Sequence, residues 1–271
     1  EGTAPLLISF PHTGTELPEA CAAGFDSPCL PRSDADWWVH SLFVFERGMG
    51  ATTVRSTISR SVIDLNRDPA GASLYPGQNT TGLCPLTTFD NQPLYREGQT
   101  PDDAEIARRR DTYFKPYHDA LGAQIARLKQ QHGTLVVYDA HSIRSRIPHL
   151  FEGELPQFNL GTAGPTGTPD TACDNALSDV VENLCRLSGQ SYVRNGRFKG
   201  GWITRHYSDV PDGVHTLQME LACRGYMLEP AVVDAHSWPT VLDDDHAAPL
   251  RRTLAQVLNA CLDFASNRSA A

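Results

Sequence analysis

The sequence predicts an α/β protein, with helices covering both faces of a mostly parallel, mixed β-sheet in a three-layer α/β/α sandwich. Two observations lead to this prediction. The strand-like segments are short and mostly apolar without alternation, which is typical of strands buried on both faces. Segments with helical periodicity lie between them, and this interleaving favours parallel strands connected by helices. With 271 residues and 40% apolar content, the chain can bury a large core, and we expect one domain over residues 1–271.

The strands are predicted from apolar runs rich in β-branched residues and leucine. In chain order these runs are Pro5–Phe10, Thr52–Arg55, Ser61–Leu65, Thr134–Ala140, Trp202–Thr204 and Thr216–Leu221. Most of these runs are short, and apolar and polar residues do not alternate along them.

Four segments have helical patterns, namely Ala35–Arg47, Pro101–Gln131, Thr171–Leu187 and Pro249–Phe264. The second begins with an acidic turn (PDDAE) and ends in basic residues, as the helix dipole favours. Glycine and proline concentrate in two long segments, Asp68–Gln99 and Glu152–Pro169. Loops of that length in a compact domain usually line a site, so we expect these two to do so.

Charge and composition argue against several classes of partner. The net charge of −9 disfavours a general nucleic-acid or anionic-membrane surface, because both reward an excess of lysine and arginine. No apolar run approaches the roughly 20 residues that span a bilayer, and EGTAPLLISF lacks the features of a signal peptide. Seven scattered cysteines without a CxxC pair suit reduced thiols better than disulfides. We expect a soluble cytoplasmic protein, and nothing in the sequence implies a protein partner.

Polar residues placed at or just after the predicted strands are the candidates for a functional site. Ligands of open α/β sheets bind at the carboxyl ends of the strands. His12 follows the first strand, Asn66 and Arg67 follow the strand near position 63, and His141 follows the fourth. Glu220 lies within the last apolar run, LQMEL.

The two strand-end histidines predict a metal site. A single such histidine is more often structural, but His12 and His141 have the acids Asp34 and Asp36 between them in the sequence. Two imidazoles and one carboxylate, with a fourth position open, define a catalytic zinc site, although cobalt or manganese would also accept these ligands. Asp139 is a candidate to accept a hydrogen bond from the second nitrogen of His141; a local cap or salt bridge is the alternative role.

Glu220 is the candidate general acid and base. An unpartnered charge inside an apolar run is costly, so a catalytic role beside a metal explains this glutamate better than packing does. The alternative is a structural salt bridge, for example to Arg224.

Several arginines lie at strand ends or in glycine-bearing loops, and they predict a small substrate with more than one negative charge. They are Arg60, Arg67, Arg144, Arg197 and Arg205. A guanidinium can bind a carboxylate through two parallel hydrogen bonds. We assign Arg67 with Asn66 as the main clamp, and Arg144 and Arg205 as further substrate ligands. His206 and His215 are candidates for oxyanion or substrate contacts, with a surface role as the alternative.

Motifs over nearly the whole chain resemble those of the N-formylglutamate deformylase (amidohydrolase) family. They include SFPHTGTELP, DADWWV, SRSVIDLNRDP, PLYREGQTPDDAEIARRRDTYFKPYHDAL, YDAHSIRSRIPHLF, VRNGRFKGGWITRHY and LQMELACRGYM. The family is similar in fold and site layout to zinc carboxypeptidases and aspartoacylases. The resemblance implies metal-dependent hydrolysis of N-formyl-L-glutamate, a dicarboxylate, to L-glutamate and formate in histidine degradation. It also implies that His12 and His141 are metal ligands, that Asn66 and Arg67 clamp the substrate, and that Glu220 is catalytic.

The carboxylate ligand departs from the pattern of these relatives. They carry an HxxE pair, whereas position 15 is threonine here and Glu16 comes one residue late. A carboxylate displaced by one residue points in a different direction, so we assign Asp36, with Asp34 and Glu16 as alternatives. Ser33 and Asp34 also fit the chemistry of a helix N-cap.

Two other functions compete with this assignment. A related metallo-amidohydrolase would act on N-acetyl or other N-acyl acidic amino acids, and a non-catalytic protein would only bind an acidic amino acid. Binding alone has no use for a proton shuttle, so Glu220 beside two histidines argues against the second. Serine or cysteine hydrolysis is disfavoured because the sequence has no G-x-S-x-G motif and no cysteine in a motif with histidine.

Overall fold

A computed structural model describes residues 1–72, 80–164, 170–234 and 236–269. The six strands of these residues form a single sheet in the order β2-β1-β3-β6-β4-β5. They are β1 Leu6–Phe10, β2 Thr52–Arg55, β3 Leu135–Ile143, β4 Phe158–Gly161, β5 Tyr192–Arg194 and β6 Val214–Ala222. Every neighbouring pair is parallel except β4 with β6, which is antiparallel. The predicted mostly parallel, mixed sheet is therefore confirmed.

Helices of very different length connect the strands. They are α1 Glu19–Ala22, α2 Leu30–Ser33, α3 Val39–Leu42, α4 Asp103–Arg109, α5 Lys115–His132, α6 Asn175–Leu187, α7 Trp202–Tyr207 and α8 Asp244–Ser269. A π-helical segment, Arg110–Phe114, joins α4 to α5 without a break. Asp102 begins α4 because its side chain accepts a hydrogen bond from the amide of Glu105, and Asp174 begins α6 in the same way.

Two predicted strands are wrong. Ser61–Leu65 is a turn, because the amide of Val62 bonds to the carbonyl of Ser59 and that of Asp64 to Leu83, which leaves no ladder to a neighbouring strand. Trp202–Thr204 forms the start of α7 instead, with Gly201 at the N-cap. Both runs are apolar because they cover the sheet, and a short apolar run does not distinguish a strand from a covering segment.

Two strands were missed and two further predictions need correction. The sequence did not predict β4 and β5. The helix predicted over Ala35–Arg47 is reduced to α3 and a 3₁₀ turn, Glu46–Met49, because Trp38 adopts a left-handed conformation with φ 59°. The predicted loop Glu152–Pro169 contains β4, and residues 165–169 of it, like residues 73–79 of the other long loop, lie outside the described residues.

The apolar core is divided between the two faces of the sheet. Alternate residues of β1 show the division, since Ile8 packs with the cluster that contains Leu177 of α6 and Leu254 of α8. Leu7 packs with the cluster that contains Leu121 of α5 and Ile203 of α7. Helices therefore cover both faces, as the uninterrupted apolar character of the strands predicted.

Two expectations from composition concern thiols and membranes. All seven cysteines are free, and all except Cys29 are buried. Among the helices of the described residues, none has the length and apolarity that crossing a membrane requires.

Truncating a side chain in the first of these clusters should destabilise the protein. Leu254 is fully buried in α8, and we expect Leu254→Ala to lower the free energy of unfolding by about 2–5 kcal/mol, because a cavity adds to the lost apolar contact. Gln256→Ala, at an exposed position of the same helix, should change it by less than about 0.5 kcal/mol. Denaturant titration of both variants measures the difference, and equal values would place Leu254 outside the core.

Candidate active site

The carboxyl ends of β1, β3 and β6 bring the candidate residues together. Asp139 and His141 are two positions apart on β3, so both side chains point to the same face of the sheet. Glu220 on β6 is the register partner of His141. His12 follows β1 by two residues, and β1 is the neighbour of β3 on its other side. The sheet order therefore places both imidazoles and the glutamate at one end of three adjacent strands.

His12, Asp36 and His141 form a buried cluster that could hold a metal ion, with ligand atoms that lie within 4.8 Å of one another. Nδ1 of His141 is 3.0 Å from Oδ2 of Asp36, and Nδ1 of His12 is 3.9 Å from the same oxygen. Nδ1 of His12 and Oδ1 of Asp36 have no hydrogen-bond partner within the described ranges. Buried polar atoms without a partner are costly and rare, so both atoms suit a metal ion as their partner.

A carboxylate orients each imidazole through its other nitrogen. Nε2 of His12 lies 2.8 Å from Oδ1 of Asp64, and Nε2 of His141 lies 2.9 Å from Oδ2 of Asp139. An ionised carboxylate only accepts hydrogen bonds, so Nε2 is the donor in both contacts. In the neutral tautomer, each Nδ1 then carries a lone pair beside Asp36, which is the arrangement of metal-ligating histidines.

The two histidines have opposite electrostatic environments. Burial, followed by the charge of Arg60, lowers the pKa of His12 against the opposing effect of Asp64. Burial also acts to lower the pKa of His141, but the carboxylates of Asp139 and Asp36 outweigh it and hold that pKa well above its usual value. A positive charge is thus favoured on His141, which lies between the carboxylates of Asp139 and Asp36, and disfavoured on His12.

The other two candidate carboxylates lie outside the cluster. Asp34 accepts a hydrogen bond of 2.8 Å from the amide of Phe89, and burial raises its pKa to about 6. Glu16 is exposed and accepts a hydrogen bond from the hydroxyl of Thr57. Of the three acids weighed from the sequence, the structure brings only Asp36 to the histidines.

Glu220 faces the same pocket and is buried. Its Oε2 accepts a hydrogen bond of 3.2 Å from the side chain of Gln218. Burial raises the pKa of Glu220 to about 7, while the nearby charge of His141 opposes that rise. A carboxyl group with a pKa near neutrality can both accept and return a proton. Arg224, the alternative partner, donates instead to the hydroxyl of Ser145 and the carbonyl of Leu155.

Three arginines line the pocket: Arg60, Arg67 and Arg197. Arg60 forms an ion pair of 2.7 Å with Asp64 and lies over the ring of Phe89. Arg67 donates to the carbonyl and hydroxyl oxygens of Thr81 and to the carbonyl of Asn66. The lining of the pocket therefore includes three guanidinium groups, of which Arg60 is paired with a carboxylate.

Asn66 lines the pocket, but its side chain also supports the cluster of His12, Asp36 and His141 through Asp139. Its Nδ2 donates to Oδ2 of Asp139 at 3.2 Å, and its Oδ1 accepts from the amide of Ile203 at 2.8 Å. The amide of Asn66 in turn donates to Asp64. Asn66 thus ties together the two carboxylates that orient the histidines.

Two arginines assigned to the substrate are not among the residues that line this pocket in the described part of the chain. Arg144 pairs with Asp90 at 2.6 Å, and Arg205 is an exposed residue of α7 whose Nε donates to the carbonyl of Gly200. The two further histidines are also engaged elsewhere, because His206 stacks on Trp202 and His215 accepts from the amide of Asp174.

Sequence reasoning gave no role to Asp64 or to Gln218. Both have a signal in the sequence. Asp64 is two residues before Asn66 in the motif that predicted the clamp, and Gln218 is two residues before Glu220, on the same face of β6.

Comparison with known proteins identifies the family of this chain. The family model for N-formylglutamate amidohydrolase matches residues 4–227. The chain is 42% identical over 269 residues to the N-formylglutamate deformylase of Pseudomonas putida, covering 99% of this chain and 96% of the relative. It is also 42% identical over 270 residues to the N-formylglutamate deformylase of Pseudomonas aeruginosa, covering 99% and 97%.

Solved structures give the same result. The crystal structure of N-formylglutamate amidohydrolase from Ralstonia eutropha JMP134 superposes with a TM-score of 0.78 at 25% identity, covering 98% of this chain and 96% of the other. A gene product of Agrobacterium tumefaciens, with a TM-score of 0.65 at 19% identity over 96% and 92% of the two chains, shares the fold. From the family match and the full-length relatives together, the chain belongs to the N-formylglutamate amidohydrolase family.

Proposed function

We propose that this protein hydrolyses N-formyl-L-glutamate to L-glutamate and formate with the help of a divalent metal ion. Membership of the family supports the reaction. The observation that carries the metal dependence is the convergence of two imidazole Nδ1 atoms on the carboxylate of Asp36, each imidazole being held from behind by a second carboxylate.

The donor set fits zinc best. Two nitrogens and one carboxylate oxygen are the ligands of catalytic zinc sites that keep an open position, and cobalt or manganese would also be accepted. When bound, such a cation supplies positive charge that lowers the pKa of a water molecule and polarises the formyl carbonyl. Asp64 and Asp139 hold the two imidazoles in the tautomer that leaves Nδ1 available.

Glu220 is placed to carry the proton. Hydrolysis forms a bond from the water oxygen to the formyl carbon and breaks the carbon–nitrogen bond, and the departing nitrogen must gain a proton. Glu220 would accept that proton from the attacking water and deliver it to the nitrogen. Its pKa near 7 suits the delivery, and a neighbouring cation would lower that pKa and so favour the ionised form that begins the reaction.

The arginines of the pocket would bind the two carboxylates of the substrate. The charge of Arg60 is already offset by Asp64, and by Asp36 at 3.6 Å. Arg67 contacts mainly neutral oxygens, although Asp64 lies 3.7 Å from its Nη2. We therefore assign Arg67 as the main carboxylate-binding residue and Asn66 to the support of the site, with Arg197 as a second carboxylate-binding residue because it also lines the pocket. The assignments of Arg144 and Arg205 stay predictions from the sequence.

Arg67→Lys should impair the enzyme although the charge is kept, because lysine lacks the two parallel donors of a guanidinium. Loss of a hydrogen bond to a charged group predicts a fall in kcat/KM of roughly 10- to 150-fold on N-formylglutamate. N-formylglutamine and N-formylglutamate α-amide each lack one of the two carboxylates. The analogue that lacks the carboxylate bound by Arg67 should already be a poor substrate, and Arg67→Lys should lower its kcat/KM little further. The comparison therefore identifies which carboxylate Arg67 contacts. An equal proportional loss of kcat/KM on all three substrates would instead mean that Arg67 supports the fold and does not bind a carboxylate. Arg186→Lys is the matched control and should behave as wild type, because Arg186 is exposed on α6 and donates a hydrogen bond to Asn183.

A formate- and acetate-release assay, combined with metal analysis of the purified protein, tests the proposal as a whole. We expect about one equivalent of a divalent transition metal, and kcat/KM for N-formylglutamate well above that for N-formylaspartate and N-acetylglutamate. Hydrolysis of N-acetylglutamate at an equal rate would favour the related N-acyl amidohydrolase instead. Full activity after complete removal of metal by a chelator would overturn the metal dependence.

Several broader assignments stay predictions. They are the kinship of the fold with zinc carboxypeptidases and aspartoacylases, the single domain over residues 1–271, the role in histidine degradation, and the cytoplasmic location. The absence of a protein partner is likewise an expectation from the sequence.

A further inference from the structure

We propose that Tyr117 and Ser9 are positioning residues of the metal site, because they form with Asp139 a buried chain of hydrogen bonds that ends on His141. The proposal rests on the proposed metal-dependent function and extends the site by two residues that touch neither the metal ligands nor the pocket.

The chain of hydrogen bonds is continuous. The hydroxyl of Tyr117 lies 2.9 Å from Oγ of Ser9, which lies 2.7 Å from Oδ1 of Asp139. The other oxygen of Asp139 is 2.9 Å from Nε2 of His141. All four residues are buried, and Ser9 and Asp139 are register partners on β1 and β3. Burial thus shields these contacts from water molecules, which would otherwise compete for the same donors and acceptors.

The direction of every hydrogen bond follows from the groups involved. Asp139 can only accept, so Ser9 donates its single hydroxyl proton to it, and the Oγ of Ser9 must then accept from Tyr117. Burial, followed by the charge of Asp139, raises the pKa of Tyr117 well above its usual value, which keeps this hydroxyl a donor. From the other side, Nε2 of His141 donates to Asp139. The Nδ1 of His141 is therefore the nitrogen left for a metal ion.

Asp139 needs these donors because it is a fully buried carboxylate. No arginine or lysine pairs with Asp139 among the contacts of the described residues, and its partners are Ser9, Asn66 and His141. Donors on both oxygens stabilise its negative charge and stop the carboxylate from rotating. A fixed, charged Asp139 holds the ring of His141 in one orientation and increases the basicity of Nδ1, and both effects strengthen metal binding.

The position of Tyr117 is set by a special feature of its helix. Tyr117 lies in the first turn of α5, directly after the π-helical segment Arg110–Phe114. Such segments are rare and occur frequently at functional sites. The next residue, His118, donates from Nε2 to the carbonyl of Leu65 at 2.9 Å. One turn of α5 thus supports both Asp139 and the segment that leads to Asn66.

Tyr138 provides a matched control. It is fully buried on β3, next to Asp139 in the chain, but its side chain packs with the cluster on the opposite face of the sheet. Its hydroxyl has no hydrogen-bond partner in the part of the chain that the structure covers. Tyr138→Phe and Tyr117→Phe remove the same single atom from two buried tyrosines, and only the second interrupts the chain to His141.

The test is the zinc dissociation constant of the full-length protein, measured by competition with a chelator, for wild type, Tyr117→Phe, Ser9→Ala and Tyr138→Phe. Loss of an outer partner of a metal ligand typically weakens metal binding by roughly 10- to 100-fold. We expect a loss in that range for Ser9→Ala, a smaller loss of at least about threefold for Tyr117→Phe, and no change for Tyr138→Phe. The visible absorption spectrum of the cobalt-substituted protein should change in the first two variants only, because it reports ligand geometry and not fold stability.

The possible results are distinguishable. Wild-type zinc affinity and an unchanged cobalt spectrum in Tyr117→Phe and Ser9→Ala would overturn the proposal, whatever their effect on thermal unfolding. If Ser9→Ala fails to fold, the zinc affinity and cobalt spectrum of Tyr117→Phe test the proposal by themselves, since this substitution removes one atom and leaves the packing intact. If wild type itself binds no divalent metal, the proposed metal dependence fails too, and this result is seen without any variant.

Discussion

His12→Ala and His141→Ala are expected to lose the bound metal and nearly all hydrolysis of N-formylglutamate while the protein stays folded. Each substitution removes one of three protein ligands and leaves a buried carboxylate, Asp64 or Asp139, without its imidazole partner. The loss of metal affinity should exceed the roughly 10- to 100-fold that removal of an outer partner costs. Metal content after dialysis, formate release and far-ultraviolet circular dichroism measure the three quantities.

The carboxylate ligand is tested in the same experiment. Asp36→Ala should lose metal as the histidine variants do, whereas Glu16→Ala should keep it, because Glu16 is exposed and bonded to Thr57. His206→Ala, which removes an exposed imidazole stacked on Trp202, is the control for the loss of a histidine as such. Full metal occupancy in both His12→Ala and His141→Ala would exclude the proposed centre, and loss of metal in Glu16→Ala alone would restore the HxxE-like arrangement of the relatives.

Glu220→Gln is expected to keep its metal yet lower kcat by at least roughly 100-fold, the lower end of what general acid–base catalysis contributes. Glutamine has the same size and can still accept the hydrogen bond from Gln218, so the pocket should keep its shape. What is lost is the ability to take a proton from water. Steady-state kinetics on N-formylglutamate and metal analysis of the same preparation give the result.

Glu154→Gln is the matched control for this second experiment. Glu154 forms its ion pairs with Arg146 and Arg224 away from the pocket, so its neutralisation should leave kcat unchanged. Turnover close to wild type in Glu220→Gln would remove Glu220 from the mechanism. A parallel loss of metal in that variant would instead assign Glu220 to the metal site.

The positions of His12, His141 and Glu220 could be predicted from the sequence because the signals are local. Apolar runs mark buried strands, and residues two apart on a strand share a face, so polar residues at strand ends can be assigned to one edge of the sheet. The mostly parallel sheet followed from the same runs. Ser61–Leu65 and Trp202–Thr204 were wrongly predicted as strands, because apolar segments that cover a sheet have the same composition as strands within it.

The sequence favoured Asp36 over Asp34 and Glu16, but only the tertiary structure shows that Asp36 is the one of the three that lies beside the two histidines, and which groups support this candidate metal site. Ser9 and Asp139 are 130 residues apart in the chain, Ser9 and Tyr117 are 108 apart, and His12 and Asp64 are 52 apart. No periodicity links residues at such distances, because they become neighbours only when β1 pairs with β3 and α5 packs against them. The sequence by itself therefore determined which residue types stand at the strand ends, and the packing of distant segments determined which of them meet, since hydrogen bonds and metal ligation depend on distances of a few ångströms.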